Sequence, residues 1–329
     1  MRTELNDRLK GWVGDINEYL ESLRYGVHPE ELYEPIRYIM ALGGKRLRPL
    51  LTLLGYNLFK DDAGRIIPAA AAVEVFHNFT LMHDDIMDRA PLRRGQPTVH
   101  TKWNDNVAIL SGDVMLVRAY DLLLTIPNEH LKRALAEFNQ TAALVCEGQQ
   151  IDMNFETRDD VSVEEYLDMI QKKTAVLLGF ALKLGALMGG ADRLSQKLIY
   201  DFGVNMGIGF QLKDDLLDVY ADQAKFGKQV GGDIIANKKT FLLIEAQKRA
   251  SGEHATTLNH WLQATEFDAA EKVAAVTEVY EALGIRTLTQ NKIEEYFQAS
   301  YDALAALDLP EDRKALIRNF ADWLMARDK

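Results

Sequence analysis

A single cysteine, Cys146, in a chain of 329 residues excludes an intrachain disulfide and any cysteine-rich zinc module. A chain of this length buries a large core and needs neither. Positive charge is in deficit: 38 Lys and Arg against 49 Asp and Glu give a net charge of −11. That argues against a general nucleic-acid surface or an anionic-membrane surface. An anionic ligand would then require cations concentrated locally, or metal ions. No apolar segment follows the charged start MRTELNDRLKGW, so it does not read as a signal peptide. The most apolar stretch, Ala175 to Met188, is broken by Lys183 and is too short to span a bilayer. A soluble, cytoplasmic protein is the expectation.

Proline is absent between Pro127 and Pro310. Proline breaks helix interiors, so this whole span is free to be helical. Its content of Ala, Leu, Glu, Lys, Gln and Met points the same way. Val, Ile and Thr show no regular alternation that would build a sheet. No repeat marks a solenoid, and no low-complexity linker divides the chain. The expected fold class is all-α, as one large domain over residues 1–329. Helices are expected at about 4–23, 29–42, 49–59, 66–88, 104–125, 128–154, 162–189, 193–220, 235–250, 257–265, 268–284, 286–306 and 311–327.

Three connections are basic in this acidic chain. Gly43-Gly44-Lys45-Arg46-Leu47-Arg48-Pro49 ends one helix and starts another. Asp88 to His100 holds Arg89, Arg93 and Arg94, and Ala221 to Asp233 holds Lys225 and Lys228. Against them stand two acidic clusters, Asp84-Asp85-Ile86-Met87-Asp88 and Asp214-Asp215-Leu216-Leu217-Asp218. In each, the first and last Asp are i and i+4, on one helix face with Cβ atoms roughly 5–6 Å apart. Asp85 is rotated about 100° from Asp84. Paired carboxylates on one face repel unless a cation sits between them, and hard oxygen ligands suit Mg²⁺ or Ca²⁺. One such cluster alone reads most simply as a solvated acidic face. Both, however, lie on apolar helices, and two copies arise far less readily by chance. Metal ions held between them would bridge an anion, the natural partner of the basic loops. Arg93-Arg94 offers two guanidinium forks suited to phosphate. Lys45 and Arg48 sit before a helix N-terminus, where free amides favour phosphate too.

Other residues read two ways. Lys172-Lys173-Thr174 opens an apolar helix either as a cap region or as a cation directed at the ligand. Gly203, Gly207 and Gly209 allow close helix packing or leave room for a ligand. His77 is a core histidine or a phosphate donor, and by itself reads as core.

Taken together, the Gly43–Pro49 motif, Asp84–Asp88 followed by Leu92-Arg93-Arg94-Gly95, Lys173-Thr174, Phe210-Gln211-Leu212-Lys213 before Asp214–Asp218, and Gly227-Lys228 resemble the trans-isoprenyl diphosphate synthases, or polyprenyl synthetases. The motifs keep the family's order and spacing over about residues 35–245. The resemblance implies a bundle of mostly antiparallel helices around a deep cavity, usually a homodimer. It implies a Mg²⁺-dependent condensation of an allylic diphosphate (dimethylallyl, geranyl or farnesyl) with isopentenyl diphosphate, with three ions per loaded site. By the same resemblance Asp84 and Asp88 ligate metal with Asp85 accompanying them, and Asp214 does so with Asp215 and Asp218 in support. Lys45, Arg48, His77 and Arg94 match contacts to isopentenyl diphosphate. Arg93, Lys173, Lys228 and Lys238 match contacts to the allylic diphosphate. Thr174 and Gln211 match polar groups near the reacting carbons, and Cys146 has no part. The glycines of the Tyr220–Lys238 stretch, Gly227, Gly231 and Gly232, suggest a lid closing over diphosphate.

Alternatives are weaker. A class I terpene cyclase would need a different second motif. A phosphohydrolase built on His83-Asp84 leaves the second cluster unused, and a non-catalytic subunit would not need both clusters. Product length follows from geometry. With diphosphate fixed at Asp84 and Asp88, the growing tail runs toward the helix N-terminus. Thr80 and Phe79 lie about one turn back, and Phe76 two. An aromatic five residues before the motif, with its short spacing, resembles the geranylgeranyl pattern, so C20 is expected, with C15 next and C30–C50 third.

Overall fold

Helices occupy the proline-poor and alanine-rich stretches. The computed structural model describes residues 2–221 and 231–326. In chain order these are α1 Arg2–Ser22, α2 Glu30–Ala41, α3 Leu47–Asn57, a 3-10 turn Ala63–Ile66, and α4 Ile67–Met87. A hairpin of β1 Leu92–Arg93 and β2 Gln96–Pro97 precedes α5 Val99–Lys102, α6 Asp105–Leu123, α7 Asn128–Phe155 and α8 Val163–Ile170. A π-helical turn, Gln171–Ala175, leads to α9 Val176–Met188 and α10 Arg193–Tyr220. Then follow α11 Gly232–Ile235, α12 Phe241–Arg249, α13 Gly252–Gln263, α14 Ala269–Ala282, α15 Ile285–Ala305 and α16 Glu311–Met325. The all-α reading holds. Among the described residues, no helix is long and apolar enough to cross a membrane.

The chain forms two compact units. The first takes Met1–Gln140, Phe180–Tyr200 and Asp308–Ile317, and the second Thr141–Gly179, Asp201–Leu307 and Arg318–Lys329. In the first unit α4 starts with Pro68 in its first turn, where the missing N–H costs nothing. Its Ala69–Val73 run, Val75 and Phe76 are buried in packing against α6 and α3. Glycine permits the tightest approach. A Cβ at Gly55 would lie 2.2 Å from the Leu182 carbonyl oxygen, and one at Gly185 1.9 Å from that of Thr52. Only glycine lets α3 and α9 meet so closely there. Arg313 reaches back to Asp61 at 2.6 Å, tying the third stretch of this unit to the first.

In the second unit a capping box starts α8: Ser162 accepts from the Glu165 amide, and Glu165 accepts from the Ser162 amide. Thr240 caps α12 by accepting from the Leu243 amide, and Asp268 caps α14 by accepting from the Ala270 and Glu271 amides. Gly207 and Gly209 serve close packing, since a Cβ would meet Ala175 at 2.8 Å and Phe297 at 2.9 Å.

Four boundaries differ from the sequence reading. The helix expected at 235–250 is two, α11 and α12, parted by a turn in which Asn237 is left-handed with φ 53°. The helix expected from 257 already begins at Gly252. The stretch 162–189 is interrupted by the π turn. The loop after Asp88 contains the hairpin, pairing Leu92 with Pro97 and Arg93 with Gln96; two-residue strands are too short to show alternation.

Candidate active site

The first aspartate cluster closes α4. Asp84 keeps 20% side-chain exposure, and Asp88, the C-cap, is exposed. Asp85 faces elsewhere, as the 100° helical step requires. Its carboxylate is buried and clasps Arg93, whose Nε donates at 2.8 and 2.9 Å and Nη2 at 2.6 Å. The same Nη2 lies 3.9 Å from Asp84. Burial pushes the Asp85 carboxyl up, and Arg93 holds it down in part. Asp85, expected to accompany the metal ligands, holds a cation of the protein in this structure.

The two arginines of the hairpin part company. Arg94 and Gly95 both have positive φ, 54° and 76°, the signature of a type I′ turn. Arginine is strained there, by about 1–2 kcal/mol, and such strain clusters at functional sites. The turn lays the Arg94 guanidinium on Gly44, where a Cβ would sit 2.8 Å from Nη2. Gly44 itself has φ 146°, so the Gly-Gly break is needed both for the backbone and for this contact. Lys45, next to it, is exposed. Arg48 Nη1 lies 2.9 Å from His77 Nε2. Burial, then Arg48, Arg93, Arg94 and Arg46, hold the His77 pKa well below its usual value. The ring is therefore neutral at pH 7 and accepts from Arg48. Arg48 and Arg94, with the exposed Lys45, thus gather positive charge around the neutral His77, and their field attracts an anion. Arg46, which sequence reasoning left without a role, does not join it. It is 5% exposed and donates to Glu74 at 2.7 Å, Asn17 at 2.9 Å and the Met40 carbonyl at 3.1 Å.

The aromatics behind the cluster divide. Phe76 is buried, 5.0 Å from Phe138 edge-on and 5.6 Å from Phe79. Phe138 also meets Tyr120 and Phe180, at 5.1 and 5.8 Å. Phe79 is half-buried against His83 at 4.8 Å. His83 in turn reaches the Ile109 carbonyl of α6 at 3.1 Å, so Phe79 leans to the α6 side of α4. Thr80, four residues before Asp84 and on its face, donates to the His77 carbonyl at 2.8 Å.

In the second unit, Asp215 is buried and accepts from Tyr166 Oη at 2.5 Å and Gln211 Nε2 at 2.9 Å. Burial, then Asp233, push its carboxyl up to about 7, against the pull of Lys238, Tyr166 and Gln211. Here too a carboxylate expected in support of a metal holds protein groups. Asp214 and Asp218 are half-buried. Asp218 Oδ2 accepts from the Asp233 amide at 2.9 Å, and Lys238 Nζ lies 3.8 Å from Asp233. Thr174 donates to Gln211 Oε1 at 3.3 Å, so these two predicted partners meet. Lys173 pairs with Asp152 at 2.7 Å, a residue the sequence reading passed over. The π turn that carries Lys173 and Thr174 is pressed by Gly148, where a Cβ would lie 2.2 Å from the Lys173 nitrogen. π turns recur at functional sites. Lys228 and Gly227, and with them most of the supposed lid, lie outside the described residues.

Among the described residues, no three His, Cys, Asp or Glu side chains gather as a self-sufficient metal site. Asp84 with Asp88, and Asp214 with Asp218, each one turn apart, still fit Mg²⁺. It binds through one or two carboxylates, keeps waters, and takes the rest from phosphate.

Residues 29–282 match the polyprenyl synthetase family model. The chain is 37% identical to geranylgeranyl diphosphate synthase of Methanosarcina mazei, across 100% of this chain and 99% of that one. It is 35% identical to geranylfarnesyl diphosphate synthase of Natronomonas pharaonis, across 91% of each. Its fold superposes on polyprenyl synthase from Caulobacter crescentus, complexed with calcium and isoprenyl diphosphate. The TM-score is 0.85 at 28% identity, across 99% and 97% of the two chains. With both aspartate motifs and the basic loops in place on the all-α fold of these synthases, the chain belongs to the polyprenyl synthetase family.

Proposed function

We infer that this chain, a trans-prenyltransferase by family, joins an allylic diphosphate to isopentenyl diphosphate and releases diphosphate, with C20 as its main product. The observation that supports it most is the patch of Lys45, Arg48 and Arg94 around His77 in a protein of net charge −11. Cations so gathered have an anion as their purpose.

In this reading Lys45, Arg48, His77 and Arg94 hold the diphosphate of isopentenyl diphosphate. Arg93, Lys173, Lys228 and Lys238 hold that of the allylic substrate. Asp84 and Asp88, and likewise Asp214, would hold Mg²⁺, three ions in the loaded enzyme, which would supply charge stabilisation for the leaving diphosphate. Asp85, Asp215 and Asp218 stand behind them, fixing Arg93, Gln211 and the Asp233 amide. Thr174 and Gln211 present their oxygens to the allylic cation. The allylic C–O bond breaks, the isopentenyl double bond attacks, and a proton leaves with the diphosphate, so no protein base is required. The reaction is proposed to take place in the cytoplasm.

Incubation with dimethylallyl, geranyl or farnesyl diphosphate, isopentenyl diphosphate and Mg²⁺ tests this. Chromatography of the dephosphorylated prenols should give geranylgeraniol. No prenol at all would end the functional reading; farnesol or a C25 alcohol as main product would end the C20 reading. If the Phe79 ring is the floor that stops the growing tail one turn behind Asp84, Phe79→Ala should lengthen the main product by at least one isoprene unit. If Phe79→Ala leaves the product unchanged and Phe76→Ala lengthens it, the floor is the Phe76–Phe138 ring pair.

The parting of the arginines sets a second expectation. Arg94→Ala should raise KM for isopentenyl diphosphate about tenfold or more, and Arg93→Ala that for the allylic substrate. Equal shifts for both substrates in both variants would make the pair a single cluster.

A homodimer is the proposed assembly. Leu110, Val117 and Leu124 recur every seventh residue along α6 and its C-cap, each 58% exposed. Such a seam suits a second copy of the same helix. Light scattering should give twice the 37.2 kDa chain mass, and Val117→Glu should shift it toward monomer. A monomeric wild type would overturn this assembly.

A further inference from the structure

Asn237-Lys238-Lys239 places two ammonium groups side by side, and they serve opposite ends. Lys239 turns to Asp159 at 3.3 Å. Lys238 turns to Asp233 at 3.8 Å, and its charge is felt at Asp215. A slip of this turn by one residue would exchange the two. The turn is not part of a helix that would fix its register: α11 ends at Ile235 and α12 begins at Phe241.

What holds the turn is Lys272 of α14. Its side chain is buried, with the residue 1% exposed. Nζ donates to Asn237 Oδ1 at 2.6 Å and to the Ile235 carbonyl at 3.2 Å, and lies 4.2 Å over the Phe267 ring. Asn237, at φ 53°, is thereby held by its side chain on both atoms, since Nδ2 donates to the Leu262 carbonyl at 3.1 Å. The backbone then closes on itself: Asn237 N–H donates to Ile234 at 3.2 Å, and Lys238 N–H to Asp233 at 2.9 Å. The neighbouring residue Val273 meets the other end of the segment, where a Cβ at Gly231 would lie 2.6 Å away. A buried ammonium is costly to desolvate, and an apolar side chain would join α14 to α11 as well. An ammonium adds two directed hydrogen bonds, and both of its acceptors lie on the turn that leads to Lys238.

We propose that Lys272 is a positioning residue for Lys238: it clasps the Ile235–Asn237 turn and so fixes which lysine faces the second aspartate cluster. The kinetic consequence rests on the reading above, in which Lys238 holds the allylic diphosphate. The clasp itself does not.

The test uses Lys272→Met, which keeps the stem, with Lys272→Arg and Asn237→Gly beside it. Hydrogen exchange of the full-length protein should speed up at the amides of Asn237, Lys238 and Thr240 by about tenfold or more in Lys272→Met, and Lys272→Arg should recover most of the protection. KM for the allylic substrate should rise about tenfold, with KM for isopentenyl diphosphate and kcat within about twofold, and the rise should vanish in a Lys238→Ala background. Asn237→Gly, which tolerates the left-handed backbone but offers no side chain, should reproduce the allylic effect if Lys272→Met does not fold. Unchanged exchange at 237–240 overturns the clasp, whether or not the enzyme condenses prenyl diphosphates. An equal rise in both KM values, or the same allylic rise without Lys238, overturns its role in positioning. A wild type without condensation ends the functional reading, and exchange then decides the clasp alone.

Discussion

Asp84→Ala and Asp214→Ala should each lower kcat by at least about a hundredfold, while the folded protein survives. Both side chains are half-buried rather than part of the core, so the loss is expected to fall on chemistry, and circular dichroism of the variants checks the fold. An acidic protein that gathers diphosphates has to neutralise several negative charges at once, and its own lysines and arginines are shared among Asp85, Asp152 and Asp233. In the proposed mechanism, metal ions at the two aspartate clusters would supply the difference. If either variant kept more than about a tenth of the wild-type kcat, a loss under about 1.4 kcal/mol, the two-cluster mechanism would be wrong. Steady-state kinetics across a Mg²⁺ titration would decide, since added metal should not rescue a missing ligand.

Glu74→Ala should destabilise the protein by about 3–5 kcal/mol, the range found when one partner of a buried pair is removed. Glu74 and Arg46 expose 3% and 5% of their side chains. Without Glu74 the guanidinium keeps only the neutral oxygens of Asn17 and Met40, and Asn78 loses one of its two acceptors. Replacing both partners, as Arg46→Met with Glu74→Met, should cost less than Glu74→Ala alone. Urea unfolding at pH 7 measures both. A loss below about 1 kcal/mol for Glu74→Ala would mean the guanidinium escapes to water, and that the left-handed Arg46 backbone is not held from inside. Because Arg46 sits between Lys45 and Arg48, the same variant should also weaken isopentenyl diphosphate binding.

Much of this was legible in the residues. The proline-free span and its alanine and leucine content gave the helices within a few residues, and the paired aspartates and basic loops marked the two clusters. What stayed hidden had physical causes. The π turn adds one residue to a segment so apolar on every side that no face shows the change of phase. The hairpin is too short for alternation, and only the Arg94-Gly95 pair carries its signal. Asp85 and Asp215 lie beside their clusters in sequence and turn inward in space, because each step along a helix rotates the next side chain by about 100°. Lys272 reads as a solvated charge among Glu271 and the alanines that follow it; only the fold reveals that its acceptors come from a turn 35 residues upstream.

The order in which the chain is made bears on the first compact unit. Its last stretch, Asp308–Ile317, is synthesised long after its first, Met1–Gln140. At the usual pace of translation, roughly 5–20 residues per second, the interval is roughly 10–30 s. Throughout it Asp61 has yet to meet its Arg313, whereas α9, which Gly55 and Gly185 let approach α3, is made early in the interval. The buried face of α4 packs on α3 and α6 of the first stretch itself and is covered early. The helix that carries the first aspartate cluster is therefore packed before the stretch that completes its unit exists.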